Sequence, residues 1–230
     1  MIVENKLRSI VSYLAILAVF CVPVLDIFRL WENPEASRKI TGILTIPLVL
    51  VYYLMNTSVR DRLYLLSLLA VFIGDTVFTI DSTNFSWGLV LYALGNLMYC
   101  LVVFNNIEYL SYKAILLVSV PFFLVYLVPF LYFYEMIEKD FFEIMAYTLS
   151  IGFLVLMAWV EFFSRRTIAN RWLLGSSIVM VISTLAYGVH MYIEGLLLLK
   201  AVVLLAFSGF HWMFSQYVIQ SSNEPNEMKI

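Results

Sequence analysis

The sequence predicts an all-α fold, a polytopic membrane bundle of eight transmembrane helices, and three observations carry that expectation. Hydrophobic residues make up 63% of the 230 positions and charged residues only 13%, far from the balance of a water-soluble domain. The apolar residues fall in long blocks of about 20, enough to cross a bilayer, separated by short polar clusters. None of the blocks alternates strictly, so each closes its backbone hydrogen bonds internally as a helix.

The blocks place spans at residues 9–30, 39–56, 61–80, 85–104, 112–134, 139–163, 171–190 and 194–219. The first follows Lys6 and Arg8 in the manner of a signal sequence, but its apolar run is long and lacks a small-x-small cleavage pattern, so it reads as a retained helix. Pro23, Pro47, Pro121 and Pro129 fall inside spans and read as kinks, which neighbouring helices can accommodate. Spans three and seven overlay, Arg62 on Arg171, Leu65 on Leu174, Ser67 on Ser176 and Ile73 on Ile182, which suggests a parallel 4+4 internal repeat. In that overlay Gly74-Asp75 falls on Ser183-Thr184.

Lys6, Arg8, Arg60, Arg62, Lys113, Arg165, Arg166 and Arg171 gather at the N-terminus and in the even-numbered connections. Both termini are therefore expected in the cytoplasm. No connection is long enough for a soluble domain, so residues 1–220 are expected to form a single transmembrane bundle and residues 221–230 a short cytoplasmic tail. A net charge of −2 offers no basic face and excludes nucleic acid as a partner. Cys21 and Cys100 both lie within spans and read as packing residues. No zinc-type spacing, nucleophile motif or phosphate-binding glycine loop is present, so no metal and no cofactor is expected.

An ionised side chain near the middle of a bilayer costs roughly 2.5–3.5 kcal/mol, which makes each such residue a candidate for function. Asp75, late in span three, is the foremost. It reads either as an interhelical hydrogen bond that pins the bundle or as a reactive carboxyl. The same topology sets Asp81, His190 and Glu194 at a similar depth. Asp81 and Asn84 read as loop residues. On span four Tyr92, Asn96, Tyr99 and Cys100 share a face at i, i+3 and i+4 spacing. The tyrosines fit aromatic packing, whereas the Asn96 amide needs partners wherever it is buried.

Tyr187, His190 and Glu194 would stack at the end of span seven, either as a proton-transfer pair or as an interfacial cluster. On span eight Lys200 and His211 lie on nearly the same face. Lys200 fits a snorkelling role, and His211 lies deeper, in a polar cavity or as a core histidine. Glu143, Tyr147 and Asp26 are weaker candidates with an interfacial alternative.

The order of spans, with Gly74-Asp75, Phe85-Ser-Trp-Gly88, Tyr92-Ala-Leu-Gly-Asn-Leu-Met-Tyr99 and the stretch from Ser37 to Leu48 at the start of span two, resembles the YhhN family. These are bacterial and animal eight-helix membrane proteins that include lysoplasmalogenase. The resemblance carries over Asp75 and Tyr99. Asn96 stands where the family usually has histidine before that tyrosine, and Ser183-Thr184 where its second half has Ser-Asp. His190 falls where Asn is common and His211 near a usual Gln.

The resemblance implies a membrane-embedded hydrolase that cleaves the vinyl-ether bond of an ether lysolipid or a related lipid, with a membrane lipid or lysolipid as its partner. In it Asp75 is the general acid, and His211, His190 or Glu194 activates water. Asn96, Tyr99, Tyr92, Thr184 and Glu194 form the substrate site. The alternative is a catalytically inactive relative that binds or transports a lipid or small solute, with Asp75 fixing the bundle or carrying a proton.

Overall fold

In the lipid phase a helix is the only open element that satisfies its own backbone, and the apolar blocks adopt it throughout. The computed structural model describes residues 2–32, 41–80, 85–107, 109, 111–137, 139–193 and 196–223. They form α1 (Ile2–Glu32), α2 (Thr41–Asn56), α3 (Arg62–Ile80), α4 (Phe85–Asn106), α5 (Tyr112–Tyr134), α6 (Phe141–Ser164), α7 (Ile168–Tyr192) and α8 (Leu197–Asn223). No strand occurs among the described residues. Seven of the helices are long and apolar enough to cross a membrane, and α2, with 16 residues, is shorter. The chain is thus an integral, multi-pass membrane protein.

Helix starts have local causes. Asp61 Oδ1 accepts from the Tyr64 amide at 3.0 Å, Ser111 Oγ from the Ala114 amide and Thr167 Oγ1 from the Asn170 amide, each satisfying a donor that the first turn leaves open. At the other end of the chain α8 passes the expected boundary at 219 and runs to Asn223, because neither glycine nor proline interrupts residues 210–224.

The four prolines act differently. α1 and α2 continue through Pro23 and Pro47. In α5, Pro121 and Pro129 flank a π-helical turn at Phe123–Leu127. A regular turn would set the ring of Pro129 against the carbonyl four residues back, and the wider turn relieves it. Tyr126 in that turn reaches α6, where its hydroxyl donates to the Thr148 carbonyl and its ring occupies the space left by Gly152.

Consecutive helices pack on one another from α1 to α4 and from α5 to α8, α4 packs on α6, and α8 closes the bundle against α7, α1 and α2, while α5 sits outermost on α6. The closest approach that matters for the site is α3 against α4. A Cβ on Gly95 would lie 2.6 Å from Val71 Cγ2, and one on Gly88 would lie 2.7 Å from the Phe78 ring. Small residues at such crossings let membrane helices pack through dispersion contacts, since lipid supplies no hydrophobic drive. An aromatic core fills the half of the bundle nearer the start of α1. Tyr64 lies between Tyr53, Tyr99 and Phe214, and the Tyr99 and Phe214 rings are 4.3 Å apart. Leu14, Leu17, Leu25 and Phe28 of α1 are exposed, as a lipid-facing surface requires.

Candidate functional site

On α3 the residues Tyr64, Ser67, Leu68, Val71, Gly74 and Asp75 are buried, a stripe at i, i+3 and i+4 spacing that turns the carboxyl inward. Asp75 is 8% exposed. Its Oδ1 accepts a 2.6 Å hydrogen bond from the Tyr92 hydroxyl of α4. The Tyr92 ring is held in turn by stacking on Phe78 at 5.3 Å and by edge contact with Phe207 at 6.2 Å. The glycine-mediated approach of α3 and α4 is what brings this phenol to the carboxyl.

Asp75 and Tyr92 line a cavity of about 120 Å³. Asp26, Thr45, Tyr147, Ser183, Thr184, Tyr187 and Ser208 supply the rest of its polar wall. These residues come late in α1, α3 and α7 and early in α2, α4, α6 and α8, so the cavity occupies the half of the bundle away from the start of α1. Beside it lies an apolar chamber of about 500 Å³, bounded by α4, α5, α6 and α7. Leu89, Tyr147, Thr184 and Tyr187 line both spaces. The π-helical turn contributes Tyr126 to the chamber, and Lys139 and Asp140 line it near the start of α6.

Of the residues that the resemblance placed in the site, the structure brings Asp75, Tyr92 and Thr184 together, and the weaker candidates Asp26, Tyr147 and Tyr187 join them in the cavity wall. Tyr99 and His211 line neither space. Both are buried, and the Tyr99 hydroxyl meets His211 Nδ1 at 2.9 Å. His211 lies one turn beyond Phe207, whose ring is 4.5 Å away and stands on the cavity side. It is a core histidine with a satisfied nitrogen rather than a cavity group. Asn96 is buried between helices, donating to Ser150 Oγ at 3.3 Å, and Cys100 reaches the Ser150 carbonyl beside it. Both tie α4 to α6. His190, half-buried in the last turn of α7, also lines neither space. Glu194, Asp81 and Asn84 lie outside the described residues. Among the described residues no group of histidine, cysteine and carboxylate side chains is disposed to hold a metal.

Asp26 corrects the interfacial alternative given to it from sequence. It is 2% exposed and lines the Asp75 cavity. The signal was present in α1. Ser12, Ala15, Val19, Val22, Asp26 and Leu30 are all buried, an i, i+3, i+4 stripe that continues through the carboxylate without a break.

The Tyr92 phenol fixes one carboxyl oxygen of Asp75, and its removal should be felt in the chemistry more than in the fold. Tyr92→Phe keeps the ring contacts, so thermal unfolding in detergent should shift little, while any turnover that depends on Asp75 should fall about tenfold, the worth of one charge-assisted hydrogen bond. Equal activity of wild type and variant would mean that the bond has no functional part.

The YhhN family model matches residues 37–221, which include every cavity-lining residue except Pro23 and Asp26. No curated protein and no solved structure matches the chain.

Proposed function

Because the chain belongs to the YhhN family, which includes lysoplasmalogenases, we propose that it is a membrane-embedded hydrolase of ether lysolipids that cleaves their vinyl-ether bond. The observation that carries this reading is the junction of an apolar chamber with a small polar cavity holding a buried carboxyl. A pocket of several hundred Å³ lined by hydrophobic side chains takes a lipid-sized ligand, and a few convergent polar groups orient it. The alkenyl chain occupies the chamber, and the ether linkage lies where Leu89, Tyr147, Thr184 and Tyr187 form the shared wall.

The chemistry needs an acid at that junction. Asp75 gives its proton to the vinyl carbon remote from oxygen, which leaves an oxocarbenium ion. Water adds to the cationic carbon, and the hemiacetal breaks into an aldehyde and a glycerophospho-alcohol. The ionised Asp75 left by the first step opposes the cation, and the aromatic side chains of Phe78, Tyr147 and Tyr187 line the same cavity.

The test is aldehyde release by the purified protein in detergent, from alkenyl lysolipids set against their acyl and alkyl counterparts. Release from the alkenyl lipid alone, with no ion gradient, is the expected result. A folded protein that binds these lipids and releases nothing would instead be a lipid-binding relative. The chamber adds a finer expectation. Leu185→Trp narrows it, so kcat/KM for long-chain substrates should drop about tenfold or more, with short-chain ones spared. An equal loss at every chain length would take the chain out of the chamber.

A further inference from the structure

Hydrolysis as described above asks Asp75 to give a proton to one carbon and then to take one from the water that attacks the neighbouring carbon, and a second carboxyl in the cavity would divide that work. Neither histidine lines the cavity. Position 184, in the cavity wall, is threonine, and its hydroxyl is turned back to the Met180 carbonyl at 2.9 Å.

We infer that Asp26 of α1 is the second catalytic carboxyl of this site, the base that activates water, supplied from outside the stretch matched by the family. The inference rests on the hydrolase reading. Its geometry is independent of that reading. Asp26 and Asp75 come from different helices and line one cavity, whose volume of about 120 Å³ exceeds the roughly 10–15 Å³ that a water needs. Ser208 points to the occupant. It is 1% exposed, lines the same cavity, and its Oγ has no hydrogen-bond partner among the described residues. Buried hydroxyls are nearly always bonded, and the cavity is the space from which a water or a substrate oxygen would bond this one.

The proton transfers are then shared between the two carboxyls. Asp75 protonates the vinyl carbon, and the C=C π pair forms the new C–H bond while the ether oxygen shares its lone pair with the cationic carbon. Asp26 takes a proton from water as the water oxygen bonds to that carbon. In the collapse, the C–O bond to the glycerol oxygen breaks and Asp26 returns its proton to that oxygen. The hemiacetal hydroxyl gives its proton to Asp75 as the aldehyde C=O forms. Both carboxyls end as they began, one protonated and one ionised, and the sum is vinyl ether plus water to alcohol plus aldehyde. Two carboxyls that exchange acid and base roles are an established way to run such a cycle.

The experiment compares wild type with Asp26→Asn, Asp26→Glu and the double variant Asp26→Asn/Thr184→Asp for aldehyde release in detergent, each checked by thermal unfolding. Asp26→Asn should lose about 10²-fold or more in kcat with KM nearly unchanged, and Thr184→Asp in that background should restore part of the loss. A purely structural Asp26 would lower thermal stability instead, and a carboxyl at 184 would not rescue turnover. Asp26→Glu keeps the charge and displaces it by one methylene, so it serves if the asparagine variant does not fold, and its kcat should fall with stability preserved. An active wild type whose Asp26 variants keep full kcat would overturn the role of Asp26 and leave the hydrolase reading standing. A wild type that releases no aldehyde would overturn both.

Discussion

Asp75→Asn should reduce aldehyde release by about 10²-fold to 10⁴-fold, the range that a positioned general acid contributes. The amide is nearly isosteric with the carboxyl, so it still accepts from the Tyr92 hydroxyl, now 2.6 Å from Oδ1. What it lacks is a proton to give to carbon. Stability should change little, and KM should hold because the alkenyl chain sits against the chamber walls. A variant that unfolds at ordinary temperature while Tyr92→Phe does not would identify Asp75 as a structural pin, the other reading open to a carboxyl inside a bundle. Full turnover by a folded Asp75→Asn would remove the acid from the mechanism altogether.

The second large effect belongs to the helix crossing that carries the site. Gly95→Leu should destabilise the protein by about 1–3 kcal/mol or more, because overpacking forces side chains off their rotamers and backbones apart. Even the first carbon of the new side chain would stand 2.6 Å from Val71 Cγ2 and 3.3 Å from the Ser67 carbonyl oxygen. Spreading α3 from α4 also lengthens the Tyr92–Asp75 bond, so turnover should fall in whatever fraction remains folded. Gly175 provides the control. A Cβ there meets only Met213 Sδ at 3.4 Å, an ordinary contact, and Gly175→Ala should be neutral or slightly stabilising through helix propensity. Thermal unfolding of the pair in one detergent checks both. Equal melting temperatures would mean that α3 and α4 do not approach as closely as Gly95 requires.

The spans were legible because hydropathy and length alone determine them. The limits drawn from composition for α3 and α5 match the helices to within a residue, since polar clusters mark their ends and Asp61 and Ser111 cap their starts. Asp75 was legible too, as a charged group late in its span, and Thr184 came from the overlay of span seven on span three and from the family resemblance. The partners of buried side chains were not. His211 and Tyr99 are 112 residues apart, and no periodicity on α8 reveals that the histidine faces a phenol on α4 rather than a cavity one turn away. Depth along a helix follows from sequence, whereas which neighbour a face meets is set by packing. Asp26 lay between these cases. Its place on the buried stripe of α1 could be read from spacing, but its position near a helix end favoured an interfacial explanation that only the packing of α1 on α2 and α8 removes. The π turn is similar: two prolines eight residues apart announce a disturbance, but the seat of Tyr126 against Gly152 of α6 is a matter of packing.

The most direct measurement is mass analysis of the products when the purified protein acts on an alkenyl lysolipid in heavy water. Protonation of the vinyl carbon by an acid in exchange with solvent predicts an aldehyde with one deuterium on the carbon next to its carbonyl. An undeuterated aldehyde, or no aldehyde from a protein shown to be folded, would contradict acid-initiated vinyl-ether hydrolysis at Asp75.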